Sequence, residues 1–150
     1  MKLLKYTLIL LFSVGLMSCS GGDDEKEDNT NPIITLTSPT NSVLVNPGSI
    51  LNVNAVLSDN VMLEDYAVKI TAGGTKSVKN VEEFYFNSYT DSDAYGNALP
   101  EVSGRETATL NFDIAISDNA RVGFYTFTLS AEDQSGNYTE EIVHFEITRP

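Results

Sequence analysis

The sequence predicts an all-β domain built as a sandwich of two sheets. Hydrophobic and polar residues alternate one by one in several stretches, which is typical of strands with one buried and one exposed face. No long stretch keeps the period of an amphipathic helix. Clusters of Gly, Asn, Asp and Ser separate the alternating stretches, as expected for short turns between strands.

The strands follow one another along the chain. Residues 33–37 form a β-rich run that Pro39 ends. Residues 78–89 are a candidate for one or two further strands, with Phe84 and Phe86 on one face and Tyr85 on the other. Each remaining strand has alternate apolar residues that we expect to face the core. These sets are Leu51, Val53, Ala55 and Leu57; Tyr66, Val68 and Ile70; Ala108, Leu110, Phe112, Ile114 and Ile116; Tyr125, Phe127, Leu129 and Ala131; and Val143, Phe145 and Ile147.

The predicted turns set the architecture. They fall at residues 46–48, 58–60, 72–74, 117–119 and 134–137. About seven to nine short strands with polar turns predict an immunoglobulin-like Greek-key β-sandwich. Gly123 and Tyr125 at the start of the sixth strand have the arrangement of a tyrosine corner, so we expect Tyr125 to be structural.

The composition excludes several classes of function. The chain has 150 residues, 21 acidic and 9 basic side chains, and a formal net charge of −12. Nucleic-acid binding depends on Lys and Arg that neutralise phosphates, so no nucleic-acid partner is expected. The chain has one cysteine, which excludes an internal disulfide framework and a zinc site made of several thiolates.

The amino terminus predicts secretion and lipidation. Lys2 and Lys5 precede an apolar run at residues 6–17, which is shorter than the roughly 20 residues that span a bilayer. Residues 16–19 resemble the lipobox of bacterial lipoproteins, with an aliphatic residue, a small residue and then Cys19. We therefore expect residues 1–18 to be a signal peptide and Cys19 to carry the lipid that holds the protein on the bilayer. A plain signal peptide with an incidental cysteine is the alternative.

Residues 19–31 are expected to form a disordered tether that starts at the lipidated cysteine. Residues 20–31 hold five acids, one lysine and no apolar side chain, so like charges repel and nothing can be buried. The acidic run also resembles the surface-export signal of Bacteroidota lipoproteins. This predicts an outer-membrane lipoprotein exposed at the cell surface, whereas a plain solvated spacer is the alternative. Residues 32–150 would then form the folded domain.

Several short motifs resemble bacterial Ig-like domains. They consist of Pro32, Ile34, Leu57, Ser58, Asp59, Asn60, Gly123, Phe124, Tyr125, Ala131, Glu132, Asp133, Gly136 and Asn137. The chain after the signal is similar, over essentially its whole length, to a domain-of-unknown-function family of Bacteroidota surface lipoproteins. The resemblance implies a single Ig-like domain behind a lipobox. It implies no activity, because a fold does not supply a function.

Catalysis is not expected. The one histidine, His144, alternates with Val143 and Phe145 and should point outward from the last strand. No nucleophile and base arrangement, phosphate-binding loop or dinucleotide motif is present. A hydrolase that uses paired carboxylates is a third hypothesis behind the two binding hypotheses below.

Two acidic regions are candidate Ca²⁺ sites. In an Ig-type sandwich, the turn after the second strand and the turn before the last strand lie at one end, which would bring Asp59 and Asn60 near Asp133 and Asn137. Oxygen-rich clusters suit Ca²⁺, although Asp and Asn are also ordinary turn residues. Asp91 and Asp93 begin a sequence like an EF-hand loop, but the fifth and twelfth positions do not fit. Calcium is therefore a candidate cofactor and is not required.

The segment between the third strand and the strand at residue 108 is the candidate ligand site. Residues 90–104 have the polar, Gly- and Pro-containing composition of an exposed loop, and long loops on rigid sandwiches often bind ligands. Tyr85, Tyr89 and Tyr95 are expected to form an aromatic platform for a sugar or peptide, or else to brace the loop.

The leading hypothesis for function is a lipid-anchored, surface-exposed, non-enzymatic binding module for a glycan or protein ligand, as in adhesion. The alternative is a structural or accessory subunit of a cell-envelope complex, with no ligand site of its own. A large exposed apolar face would favour the accessory subunit, and an exposed aromatic patch with concave acidic surroundings would favour the binding module.

Overall fold

The computed structural model describes residues 27–73 and 83–149. The predicted signal peptide, residues 1–18, and the predicted lipidation site, Cys19, lie outside these ranges. The described ranges contain seven strands and no helix, which confirms the prediction of an all-β protein. Accordingly, they contain no helix that could cross a membrane.

The strands form two layers that share one long strand. The strands are β1 (Ile33–Ser38), β2 (Leu44–Val45), β3 (Ile50–Ala72), β4 (Phe86–Asn87), β5 (Arg105–Ala115), β6 (Gly123–Asp133) and β7 (Tyr138–Ile147). The first part of β3 pairs antiparallel with β1 and β5, and its second part pairs antiparallel with β4 and β6. β7 pairs antiparallel with β6, and β2 pairs with β7 in parallel. The domain is therefore an immunoglobulin-like sandwich of the layers β1–β3–β5 and β4–β3–β6–β7–β2.

β3 passes from one layer to the other where the sequence predicts a turn, at residues 58–60. The backbone does not turn there, and its register against β5 shifts between Ser58 and Leu63. The prediction of two strands separated by a turn is therefore wrong. The carboxylate of Asp59 accepts a hydrogen bond from the backbone N–H of Val61 at 2.8 Å, which satisfies a group that strand pairing leaves free. The extra residues form a bulge that redirects an otherwise extended strand.

The core lies between the two layers. Every alternate apolar set predicted from the sequence is buried there, which confirms the assignment of the faces. Full burial of each large apolar side chain contributes about 1.5–3 kcal/mol. In the segment at 78–89, Phe84 and Phe86 are buried and Tyr85 is exposed, as predicted. Residues 86 and 87 are the part of that segment that forms a strand in the described ranges.

Tyr125 is a tyrosine corner, as the sequence predicts. Its hydroxyl donates to the backbone carbonyl of Arg121 at 2.7 Å and accepts from the backbone N–H of Phe84 at 3.4 Å. The ring stacks on Phe145 with 5.6 Å between ring centroids. These contacts fasten the start of β6 and the segment before β4 to the core.

Candidate functional site

Three aspartates meet at one end of the sandwich, and we call them the aspartate cluster (Asp28, Asp59 and Asp133). Asp59 lies in the bulge of β3 and Asp133 ends β6, and these elements are adjacent because Leu63 of β3 pairs with Asp133. Asp28 comes from the segment before β1. Carboxylate oxygens of the three residues all lie within 4.8 Å of one another. The structure thus brings Asp59 and Asp133 together and adds Asp28, which the sequence assigns to the tether.

Hydrogen bonds hold Asp133 and Asp28 in place. Asp133 is only 2% exposed, and its Oδ1 accepts from the backbone N–H groups of Ser135 and Asn137, each at 2.8 Å. The Asn137 side-chain amide donates to Asp133 Oδ2 at 2.7 Å and to the carbonyl of Asp28 at 3.0 Å. The Asn60 amide donates to Asp28 Oδ1 at 3.1 Å. Asn60 and Asn137, which the sequence presents as metal ligands, therefore act here as donors that position carboxylates.

The cluster has unused acceptors. Asp28 Oδ2 and Asp59 Oδ1 are buried, and neither has a hydrogen-bond partner among the described residues. The hydrogen bonds from Asn60 and from the backbone of Thr30 lower the pKa of Asp28, so its carboxylate form is favoured. Oxygen is the donor type that Ca²⁺ prefers, and the cluster contains no imidazole or thiolate ligand of the kind that transition metals favour. The residues therefore fit Ca²⁺ chemically.

Asp91 and Asp93 lie outside the aspartate cluster and are engaged by their own loop. Asp93 Oδ1 accepts from the backbone N–H groups of Tyr95 and Asn97 at 2.9 and 2.7 Å, and the Asn97 amide donates to Asp93 Oδ2 at 2.9 Å. Asp91 Oδ2 accepts from the backbone N–H of Asn87 at 2.7 Å. The hydrogen bond from the Asn97 side-chain amide, followed by those from the backbone N–H groups of Asn97 and Tyr95, lowers the pKa of Asp93. The arrangement is that of turn aspartates.

A cleft opens beside the second part of β3, and we call it the Tyr89 cleft. It has a volume of about 280 Å³ and is lined by residues 64–66, 88, 89 and 99–103. β3 supplies one wall, the turn after β4 supplies Tyr89, and the loop before β5 supplies the other wall. The backbone N–H of Gly104 donates to the carbonyl of Leu63 at 2.9 Å, which holds that loop against β3. Strands and fixed loops therefore shape the cleft.

Hydrogen bonds also fix the side chains of the cleft. The Tyr89 hydroxyl donates to Asp65 Oδ2 at 2.8 Å, and Asp65 Oδ1 accepts from the backbone N–H of Tyr66 at 2.7 Å. Ser88 Oγ accepts from the backbone N–H of Val68 at 2.9 Å. Partial burial and the nearby carboxylate of Asp65 raise the pKa of Tyr89 to about 12. Burial, with a smaller contribution from Asp65, raises the pKa of Tyr66 to about 12.

The three tyrosines of the expected aromatic platform occupy different places. Tyr89, which is 62% exposed, lines the cleft. Tyr95, which is 70% exposed, donates its hydroxyl to Asp113 Oδ2 in β5 at 3.2 Å. Asp113 pairs with the first part of β3, whereas Asp65, the partner of Tyr89, lies in its second part. Tyr85 is also exposed, but neither it nor Tyr95 lines the cleft. A ligand in the cleft thus meets Tyr89 alone of the three.

Sequence reasoning missed most of the cleft and one member of the cluster. The sequence predicts Tyr66 as a core residue, and it is buried, but it also lines the cleft. Its hydroxyl group was the available signal. Leu99, Pro100 and Val102 were assigned to an exposed loop, although Val102 is buried. Apolar residues within that polar loop were the available signal for a packed wall.

Comparison with known proteins identifies a family and a fold. Residues 17–148 match the model of a family described as Domain of unknown function (DUF4625). No curated protein matches the sequence. A solved structure named GspB Siglec domain is similar, with a TM-score of 0.50 and 14% identity over 82% of this chain and 60% of that one.

Two further solved structures are similar to the chain. One is the sialic acid binding region of a Streptococcus sanguinis SK1 adhesin bound to 3'sLn, with a TM-score of 0.49 and 18% identity over 80% of this chain and 30% of that one. The other is a DUF4466 family protein from Parabacteroides merdae ATCC 43184, with a TM-score of 0.47 and 14% identity over 79% of this chain and 44% of that one. The chain thus spans between 30% and 60% of the length of these three structures. At these identities the likeness concerns the fold alone.

Proposed function

This chain belongs to the DUF4625 family, and we propose that it is a non-enzymatic module that binds a glycan or protein ligand at the cell surface. The Tyr89 cleft is the observation that carries the proposal. Its volume of about 280 Å³ is near the lower end of the range for ligand sites, so it suits one side chain or one sugar ring. Its walls contain both apolar and polar residues, as in ligand sites where a few polar groups orient a small molecule.

The cleft is also organised before any ligand arrives. The hydrogen bonds from Tyr89 to Asp65 and from Val68 to Ser88 keep the side chains in one arrangement. Binding to such a site costs little ordering of side chains, which supports a role in recognition. The exposed ring of Tyr89 adds contact area with few rotatable bonds.

A binding role, and not catalysis, is consistent with the surroundings of the cleft. His144 lies on β7 with its Nδ1 3.2 Å from Thr126 Oγ1, and it does not line the cleft. The lining includes two serines, Ser88 and Ser103, beside the acidic side chains, but it contains no histidine to act as their general base. The hydrogen bonds from the Val68 N–H to Ser88 Oγ and from the Tyr89 hydroxyl to Asp65 hold the lining of the cleft in place.

The proposed location is the outer leaflet of the outer membrane. The lipobox-like residues up to Cys19 and the acidic run after it support lipidation and surface export. Two or three acyl chains would anchor the domain stably, because each buried CH₂ contributes about 0.8 kcal/mol. The bilayer is then one partner of the protein, and the ligand in the cleft is the other.

A glycan array and a panel of envelope proteins test the binding proposal. We expect wild-type protein to bind a member of one set, and Tyr89→Ala to lose that binding because the ring wall of the cleft is gone. Tyr95→Ala is the matched control, since Tyr95 is also exposed and also donates to an aspartate but lies outside the cleft. Equal loss in both variants would place the ligand elsewhere. Binding to neither set would instead favour the accessory subunit.

We also propose that the aspartate cluster binds Ca²⁺ as a stabilising ion. Asp28 and Asp59 each have a buried carboxylate oxygen without a hydrogen-bond partner among the described residues, which favours this second role. Because Ca²⁺ would bind the folded state only, millimolar Ca²⁺ should raise the melting temperature by mass action. Asp59→Asn should abolish the rise, and Asp93→Asn, in the separate loop, should leave it intact. A melting temperature that does not respond to Ca²⁺ would remove the proposal.

A further inference from the structure

The Tyr89 cleft carries an excess of negative charge. Three of its lining residues are acidic: Glu64, Asp65 and Glu101. The one ion pair in the described ranges joins Arg121 to Glu83 and lies outside the cleft. None of the three acids therefore has a basic partner among the described residues. A ligand with a carboxylate or phosphate would add a like charge to this site, which is unfavourable.

The hydroxyl groups of the cleft are also acceptors. Tyr89 uses its one O–H to donate to Asp65, so its oxygen keeps lone pairs for a ligand. Tyr66 lines the cleft and is only 7% exposed, yet its hydroxyl has no hydrogen-bond partner among the described residues. A buried hydroxyl without a partner is costly, and native proteins usually have a reason to keep one. A group brought in by a ligand would satisfy it.

The loop wall of the cleft, which carries Glu101, also presents apolar residues. Leu99, Pro100 and Val102 come from the loop before β5, and the rings of Tyr66 and Tyr89 face the same space. The cleft thus combines an apolar passage with an acidic, acceptor-rich lining. Such a pair of features matches a group that is apolar along its length and cationic at its tip.

We propose that the Tyr89 cleft binds an alkylammonium group, supplied by a lysine side chain of a protein partner. An ammonium has three donors and no acceptor, which complements carboxylates and hydroxyl oxygens. The aliphatic stem of lysine would pack on Leu99 and Val102, and the charge would also meet the face of a tyrosine ring. This inference rests on the proposed binding function and specifies the ligand of the same cleft.

The test uses the intact chain in mild detergent and two small probes that differ only in the ammonium group at the end of the side chain. These are Nα-acetyl-lysine methylamide and Nα-acetyl-norleucine methylamide, titrated while the amide signals of the cleft are followed by NMR. We expect saturable shifts at Asp65, Tyr66 and Ser88 with the lysine probe only. Raising the salt concentration should weaken that binding, because the attraction between charges is screened.

Variants then identify the charges that matter. Glu101→Gln and Asp65→Asn keep the shape of the side chains. Each should lower the affinity for the lysine probe by about tenfold or more, as expected when a charge-assisted contact is lost. Glu146→Gln is the matched control, because Glu146 pairs with Phe124 at the opposite end of β6 from the cleft. We expect no change in that variant.

Several outcomes would overturn the inference. Equal binding of the norleucine probe, or unchanged binding in both cleft variants, would show that charge does not select the ligand. Binding of glucosamine without the lysine probe would assign the ammonium to a sugar instead. If a neutral glycan binds and Tyr89→Ala abolishes that binding, the inference fails but the proposed function stands. If no probe, glycan or envelope protein binds, both fail.

Discussion

Replacing Tyr66 by Phe should stabilise the protein, whereas the same replacement at Tyr125 should destabilise it. Both rings are buried, at 7% and 2% exposure, so the two changes remove the same atom from similar surroundings. The difference lies in the hydroxyl. That of Tyr66 has no hydrogen-bond partner within residues 27–73 and 83–149, whereas that of Tyr125 donates to the Arg121 carbonyl at 2.7 Å and accepts from the Phe84 N–H at 3.4 Å.

The magnitudes follow from the cost of unpaired polar groups. Burying a hydroxyl without a partner costs about 1–3 kcal/mol, so Tyr66→Phe should raise the free energy of unfolding by about 1 kcal/mol after losses from imperfect packing. Tyr125→Phe removes a hydrogen bond and leaves the Arg121 carbonyl without that donor, which should cost about 1–2 kcal/mol. The two variants should then differ by about 2–3 kcal/mol, or roughly 10 °C in melting temperature for a domain of this size.

Urea unfolding and thermal denaturation, both followed by circular dichroism, measure these differences. Equal slopes against urea in all three proteins would show that the unfolded state is unchanged. A loss of stability in Tyr66→Phe as large as that in Tyr125→Phe would refute the reasoning, since it would mean that the Tyr66 hydroxyl already has a partner. Tyr66→Phe should at the same time lower the affinity for the lysine probe, which is the usual trade-off between stability and function at a binding site.

Two other predictions concern alkaline pH and lipidation. Between about pH 10 and 12 the free energy of unfolding should fall, because Tyr66 and Tyr89, each with a pKa of about 12, keep protons that unfolded tyrosines have lost. The midpoint of urea unfolding should fall with pH in this range, and it should fall less steeply in Tyr89→Phe. An equally steep fall in the variant and the wild type would contradict the raised pKa of Tyr89. Metabolic labelling with palmitate should mark the wild-type protein and not Cys19→Ser, and an unlabelled wild type would rule out the lipid anchor.

The faces of the strands could be predicted from the sequence because alternation is a local property. Residues such as Leu110 and Phe112 are two apart, so they must lie on one face wherever the strand is placed. The tyrosine corner at Tyr125 was equally local, since its hydroxyl bonds a carbonyl only four residues earlier. These features needed no knowledge of the partner strands.

The bulge and the two sites depended on contacts between distant residues. Asp28 belongs to an acidic run with no apolar residue, so its composition predicted disorder. In the structure it is held by Asn60 and Asn137, which lie 32 and 109 residues away in the sequence. The acidic side of the cleft arose in the same way, from β3 and from the loop at residues 99–103. Such arrangements follow from packing and not from any short pattern.

The hydrogen bonds of Asp28 also limit how far the domain can stand from a membrane. Because the chain is fastened to the sandwich at Asp28, only eight residues, 20–27, separate that point from Cys19. Even fully extended, they span at most about 30 Å. A domain carried on a lipidated Cys19 would then stay within about its own diameter of the bilayer. Its ligand would have to be a molecule that reaches the same layer, such as a neighbour in the same membrane or the base of a surface polymer.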